Sequence, residues 1–333
     1  MANSAFISII ICTQNHADSL ARTLAAMSKL RIPHEWRCEL IVVDNASTDH
    51  TPKVAQNADL KNVESHILVE KRPGQCHARN TGLSRAKGDY ILFTDDDVVP
   101  SPDWARQMVL PLLDGRFDAV TGRTLLSSDL IRPWMDGMHR LWLGDYETDA
   151  GVRVDLIGAN MGFKRSVLGS VPAFDPELGP GASGFSDDSL FSYQLRQAGL
   201  RIGFAREAVV VHCPDVSRLQ RCEWLAAARK RGRSNAYIRY HWEHLDISNR
   251  QLKLYRLWLK LNLRKRLQRP IPATGEGCSS WEMSYEKEME ALRQFAIESS
   301  RPRNYAKRGL VKIGFPEAPI PKQEVASLTP YPR

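Results

Sequence analysis

The feature that most constrains the fold is an alternation of apolar strand and helix through the first hundred residues. Residues 6–12 are almost wholly aromatic and β-branched, and residues 17–30 carry leucine and alanine at helical spacing. Residues 38–43 read as a second strand ending at Asp44. The Asn45-Ala46-Ser47-Thr48-Asp49 turn behind it can cap a helix over 51–58. A short strand at 66–69, a helix at 76–86 and a strand at 90–93 follow, and the last ends in Asp95-Asp96-Asp97. Strands that are apolar throughout belong to a sheet covered on both faces, so the expected class is α/β with a mostly parallel sheet.

Such sheets bind ligands outside the carboxyl ends of their strands. Thr13 and Asn15 follow the first strand, Asp44 the second, and the acidic triplet the fourth. Polar groups therefore gather at one edge.

Beyond residue 100 the spacing predicts a helix at 104–113 and a strand at 119–121. A glycine-containing strand is expected at 155–163 and a Gly/Pro-rich loop at 174–185. A helix at 187–198 follows, then separate short strands at 202–204 and 208–211, the second ending at His212. After Pro214 the chain turns to basic, leucine-rich helices. Residues 251–267 lack β-branched residues and exceed an ordinary strand in length, so a helix is expected there. Three parts result: an α/β domain over 1–215, a basic helical extension over 216–300, and an extended Pro-rich tail over 301–333.

Charge separates the same parts. Residues 216–269 hold 15 Lys and Arg against 3 Asp and Glu, a local net of +12 against +8 for the whole chain, which leaves the remainder near −4. A block of that kind favours an acidic partner. Arg256, Lys260 and Arg264 share one helix face, and Leu254, Leu257, Trp258 and Leu261 another. That pattern suits peripheral contact with an anionic membrane as well as packing on the domain. No nucleic-acid-binding module accompanies the charge, so nucleic acid is not expected as a partner. The six cysteines show no CxxC pair or zinc spacing and read as reduced thiols. No apolar stretch approaches the roughly 20 residues of a membrane span. The expected location is cytoplasmic, with possible attachment at the inner face of the cell membrane.

Three adjacent carboxylates repel one another unless a cation offsets them. Mg²⁺ or Mn²⁺ takes a few carboxylate oxygens and completes its shell with water and substrate phosphates. An isolated triplet is ordinarily a solvated turn; its place at the ligand-binding edge changes that. His212, also at a strand end, can join the aspartates on such an ion. Asp187 and Asp188 open a helix just after Gly179-Pro180-Gly181-Ala182-Ser183-Gly184. A carboxylate there can take a proton from a hydroxyl, and the loop can close over substrate. Arg79 lies near the same edge.

The ordered set Ile11-Cys12-Thr13-Gln14-Asn15, Val43-Asp44-Asn45-Ala46-Ser47-Thr48-Asp49, Gly74…Ala78-Arg79-Asn80-Thr81-Gly82 and Thr94-Asp95-Asp96-Asp97 resembles the family 2 glycosyltransferases of the GT-A fold. Gly158-Ala159-Asn160-Met161-Gly162-Phe163-Lys164-Arg165, Asp187-Asp188 and Leu195-Arg196-Gln197-Ala198-Gly199 continue the likeness, which covers roughly residues 4–215. The resemblance implies an inverting transferase of hexosyl type, moving a sugar from a nucleotide-diphosphate donor to a hydroxyl of a glycan or lipid-linked glycan, as in polysaccharide biosynthesis. It implies Thr13, Asn15, Asp44, Arg79, Asp95 and Asp96 around the donor. Asp97 and His212 would hold Mg²⁺ or Mn²⁺, Asp188 would be the base, and Gly158, Asn160 and Asp187 would line the acceptor pocket. Gln14 stands where an aromatic residue is common, Asp187 where glutamate is, and Leu190 where an acidic residue is. Two alternatives remain: a metal-dependent nucleotidyl or phosphoryl transferase, though no GxxxxGK[ST] loop is present, and a non-catalytic glycan-binding relative.

Overall fold

The structure is a computed structural model describing residues 4–58, 63–148, 152–268 and 275–314 of the 333-residue chain. Its centre is β1 (Phe6–Thr13), which pairs in parallel with β2 (Arg37–Asp44) on one side and β4 (Tyr90–Asp95) on the other. β3 (Glu64–Val69) extends the parallel set beyond β2. Successive side chains of a strand face opposite sides of the sheet, so β1 feeds two cores at once. Ile7, Ile9 and Ile11 pack with Leu20, Leu24 and Trp104 from α1 (Ala17–Met27) and α4 (Trp104–Leu113). Ile10 and Cys12 pack on the opposite face with Cys76, Ala78 and Leu83 of α3 (Gln75–Arg85) and Phe191 and Leu195 of α6 (Asp187–Gln197). Each fully buried isoleucine contributes about 1.5–3 kcal/mol. This two-sided demand is why the segment reads as an apolar run broken only by Ser8, whose hydroxyl donates to Glu39.

The second half of the sheet departs from the parallel expectation. The strand order is β3-β2-β1-β4-β7-β6-β8-β5, and β7 (Asn160–Lys164) runs antiparallel to both β4 and β6 (Ala119–Leu126). The expected strands at 202–204 and 208–211 are one strand, β8 (Ile202–His212), with a register shift opposite Gly122 and Arg123. The exposed Arg206 and Glu207 at that irregularity are what split the run in the sequence. The expected strand at 155–163 begins only at Asn160. β5 (Val98–Pro100), too short to stand out, pairs antiparallel with β8 and brings Val98 opposite His212. The acidic turn and His212 thus meet.

Helix α3 sits tightly on β1 because Gly82 leaves room: a Cβ there would lie 2.6 Å from Ile10 Cγ2. A helical glycine costs about 1 kcal/mol relative to alanine, and the close approach carries Arg79 on the helix's inner face.

The basic extension is only partly open charge. α7 (Arg221–Tyr237) packs along α9 (Ser280–Glu298), and Arg221, Arg229 and Arg233 meet Glu282, Glu286 and Glu290 at 2.5, 3.7 and 3.2 Å. Spacings of four and eight residues match the helical repeat on both helices. α8 (Arg250–Leu267) differs, for Leu261 is its single buried residue. Residues 301–314 do not trail away. Tyr305 and Lys312 hydrogen-bond Asp175 at 2.8 and 2.7 Å, joined there by Tyr237 at 2.6 Å. The remainder of the expected tail, 315–333, lies outside the described residues. Among the described residues no helix is long and apolar enough to cross a membrane.

Candidate active site

The carboxyl ends of β1, β2 and β4 lie side by side, since Thr13 is in register with Asp44 and Cys12 with Asp95. Each carboxylate of the acidic triplet has partners of its own. Asp95 is reached by Gln75 Nε2 at 3.3 Å and by the Arg79 guanidinium at 3.8 Å. Asp96 accepts a hydrogen bond from Thr13 Oγ1 at 2.6 Å and faces His16 Nδ1 at 3.1 Å. Its bond pushes the His16 imidazole up to about 9. Asp97 faces His212 Nε2 at 3.2 Å.

Burial and the neighbouring charges separate the three electrostatically. Burial pushes the Asp95 carboxyl up to about 6, against Arg79 and with Asp97 adding to the rise. Burial also opposes the Asp97 charge, yet His212, with Arg218 behind it, holds that carboxyl below the usual range. His212 is raised in turn: burial disfavours its charge and Asp97 more than offsets this.

The Asp97–His212 pair fits a divalent cation. His212 Nδ1 lies 2.6 Å from the Leu143 carbonyl, which accepts from it and leaves the Nε2 lone pair facing a carboxylate. Two acceptors facing each other need a proton or a cation between them. Asp97 Oδ1 is also buried with no hydrogen-bond partner, an expensive condition for a carboxylate oxygen. No group of three or more His, Cys, Asp or Glu among the described residues forms a metal cage. Water and substrate phosphate would complete the shell, as suits Mg²⁺ or Mn²⁺.

Asp188 lies in the first turn of α6, next to the Asp187 that Arg79 ties toward Asp95. It is half-buried, and the backbone N–H groups of Gly158 and Ser189 donate to its two oxygens at 3.0 and 2.7 Å. Burial, with the adjacent Asp187, raises its carboxyl above the usual range against the pull of Arg79 and these hydrogen bonds. Ser186 just ahead holds a left-handed backbone (φ 69°), a conformation non-glycine residues adopt at a cost.

Other expected site residues are placed differently. Arg79 is 3% exposed and pairs with Asp187 rather than facing open solvent; burial disfavours its charge, and Asp187 and Asp95 more than restore it. Arg79 thus links Asp187, next to Asp188 in the chain, to Asp95 of the triplet. Asn160 is fully buried. It accepts from Trp104 Nε1 at 2.8 Å and donates to the carbonyls of Arg123 and Ala208 at 3.0 Å, which leaves its amide bound within the sheet. Gly158 does sit at the centre, where a Cβ would come within 2.3 Å of Arg79 Nη2. Asp44 is buried and accepts from Ser47 N at 3.2 Å, while Asn15 accepts from Thr48 N at 2.7 Å at the exposed rim. His16 and Arg218 join the triplet without having been expected. Nothing in the local sequence marks His16, and Arg218 was one charge among fifteen.

The glycosyl transferase family 2 model matches residues 8–171. This segment is a family 2 glycosyl transferase domain. The matched segment holds Thr13, Asp44, Arg79 and the triplet, and ends before Asp188 and His212. Glycosyltransferase AglE of Haloferax volcanii is 31% identical over 118 residues, 35% of this chain and 38% of that protein. The putative teichuronic acid biosynthesis glycosyltransferase TuaG of Bacillus subtilis is 34% identical over 92 residues, 27% and 35% of the respective chains. The matched stretch therefore spans well under half the length of these relatives. Among solved structures, the mannosyltransferase PcManGT from Pyrobaculum calidifontis, in complex with GDP-Man and Mn²⁺, superposes with a TM-score of 0.58 at 19% identity over 90% of this chain and 88% of that one. The fold is thus the GT-A fold of this family, with further helices at the C-terminal end.

Proposed function

We propose that the protein is an inverting glycosyltransferase that moves a sugar from a nucleotide-diphosphate donor to a hydroxyl of a glycan or lipid-linked glycan. The observation that carries this reading is the Asp97–His212 pair, a buried orphan oxygen and a lone pair 3.2 Å from a carboxylate at the sheet's ligand-binding edge. Asp97 and His212 would hold Mg²⁺ or Mn²⁺, which when bound supplies Lewis-acid stabilisation of a leaving diphosphate. Asp44, Thr13 and Asn15 lie where the nucleoside would rest. Asp95 and Asp96, fixed by Arg79, Thr13 and His16, shape the floor beneath the phosphates.

Asp188 accepts the proton of the acceptor hydroxyl as its oxygen bonds to the anomeric carbon. The bond from that carbon to the diphosphate oxygen breaks on the opposite face, so one displacement inverts the centre. The Gly158 and Ser189 amides fix the carboxylate's orientation, and its raised affinity for protons suits it to act as a base near neutrality.

A thermal-shift screen of UDP-, GDP- and CMP-sugars with and without Mn²⁺ tests donor and metal together. A productive donor at 100 times its Kd is expected to stabilise the protein by about 2.7 kcal/mol, and only with the ion. Equal shifts with and without Mn²⁺ would refute the metal-bridged donor.

A membrane-surface role for the extension is favoured by one observation on α8. Five of its six large exposed apolar side chains, Leu252, Tyr255, Leu259, Leu263 and Leu267, fall on one face, opposite the buried Leu261 and beside Arg256, Lys260 and Arg264, while Trp258 lies off it. An apolar stripe bordered by basic residues suits the surface of an anionic bilayer, to which each Lys or Arg adds about 1 kcal/mol. Full-length protein is expected to sediment with phosphatidylglycerol vesicles, and the paired change Leu259→Glu, Leu263→Glu to release it by at least about tenfold. Unchanged sedimentation of the double variant sinks the idea.

A further inference from the structure

A cavity of about 390 Å³ opens beside Asp188, within the range of small-molecule sites. Ser186 and Ser189, which bracket the two aspartates of α6, form one wall. Trp142, Arg231, Arg239 and Lys287 are among the other lining residues, from α5 (Gly137–Trp142), α7, the turn of helix after it, and α9. None of these residues belongs to the ends of β1, β2 or β4, so the cavity is separate from the place of the nucleotide.

Its chemistry is unusual for a structural void. The Arg231 guanidinium lies 4.1 Å from the centre of the Phe185 ring and 4.7 Å from that of Trp142. Its Nε is buried with no hydrogen-bond partner, and it forms no ion pair among the described residues. Burial lowers its affinity for a proton to about 10, with Asp188 the carboxylate that pulls the other way, so it stays charged at neutral pH. Arg239 and Lys287 approach Glu288 only loosely, at 3.7 and 3.9 Å. Against these three cations the lining holds one carboxylate, Glu243. Stacking between two rings holds a guanidinium plane in place and offsets part of its desolvation. It leaves the planar fork of donors unused, and that fork matches the paired oxygens of a phosphate or carboxylate.

We propose that this cavity is the acceptor subsite and that it seats an anionic group of the acceptor, a phosphate or carboxylate, on Arg231 with Lys287 and Arg239 in support. The inference rests on the transferase reading for the word acceptor, and it narrows the substrate class to glycans carrying phosphate or uronate, or to glycans linked through a phosphate. Ser186 and Ser189 would offer hydrogen bonds to the sugar that presents its hydroxyl to Asp188.

Calorimetric titration of the full chain in EDTA, which leaves the metal-dependent donor site without its cation, provides the test. The probes are glycerol 3-phosphate, methyl glucuronide and the neutral methyl glucoside. At least one anionic probe is expected to bind about tenfold or more tighter than the glucoside, the difference expected of charge-assisted bonds. Which anion wins separates the phosphate source from the carboxylate. Arg231→Gln is expected to erase the advantage, Arg231→Lys to keep part of it, and Lys287→Gln to reduce it. Equal or undetectable binding of all three probes to the wild type overturns the proposal, as does an undiminished advantage in Arg231→Gln. Should circular dichroism show Arg231→Gln unfolded, an undiminished advantage in Lys287→Gln overturns it instead. No nucleotide sugar is present, so these outcomes are independent of the donor screen; failure of that screen alone would leave an anion site without a transferase.

Discussion

Asp188→Asn is expected to lower kcat by about 10²–10⁴-fold, the range that a positioned general base contributes, while the donor affinity stays within about twofold of the wild type. The two readouts separate because Asp188 is bound to the Gly158 and Ser189 amides, not to any group at the Asp97–His212 end. An asparagine oxygen can still accept from one of these amides, so the local backbone should hold. The wild-type pH profile follows from the sign of the shift. Burial and Asp187 raise the Asp188 carboxyl above the usual range, and a base must be deprotonated to act. Activity should therefore fall as the pH drops through that raised value, at a higher pH than an ordinary aspartate would give, and this acid limb should vanish in Asp188→Asn. Full transfer activity in the variant would refute the assignment.

The second large effect belongs to Asp97. Asp97→Ala is expected to cost about 100-fold or more in Mn²⁺-dependent donor affinity, since even outer-sphere partners of a metal are worth about 10–100-fold. Binding measured in EDTA should change little, which tells loss of the ion's seat from collapse of the pocket. His212→Ala should follow in the same direction. Its imidazole bridges Asp97 and the Leu143 carbonyl, so removing it leaves the carboxylate without its partner. A variant pair that retains Mn²⁺-dependent affinity would remove the metal from these residues.

How far the sequence reaches can be judged from particular residues. The parallel half was legible because the chemistry of β1 and β2 is local: both faces are buried, so the central residues are apolar apart from the mutually bonded Ser8 and Glu39. β7 and β8 were harder. Their pairing direction depends on where the chain returns, and the exposed Arg206 and Glu207 interrupt a strand that hydrogen bonding nonetheless continues. Strand ends located Asp44, Asp95, Asp97 and His212 because position at a sheet edge follows from order along the chain. Which polar groups consume each other does not. Arg79 and Asp187 lie 108 residues apart, and nothing near either announces that they pair. Asn160 likewise looks available until Trp104 and two carbonyls are brought to it by the sheet. Arg231 was hidden in plain composition, since a block of fifteen cations gives no sign of which one lies between two rings.

The short stretch after residue 300 has a bearing on the order in which the molecule is made. Gln194, on the far half of the helix that begins with Asp187 and Asp188, donates to the carbonyl of Leu310 at 3.1 Å, 116 residues downstream. Lys312 closes over Asp175 and Glu177 at 2.7 and 2.6 Å, on the segment leading into the glycine loop. A chain emerging from the ribosome at about 5–20 residues per second can lay down the parallel strands early. The ties from Gln194 to Leu310 and from Lys312 to Asp175 and Glu177 form only when almost the last described residues are out. The half that holds Thr13 and Asp44 is thus built first and the contacts at the far end of α6 last, so a chain cut short by even a few dozen residues would carry its parallel strands but lack these late ties on α6.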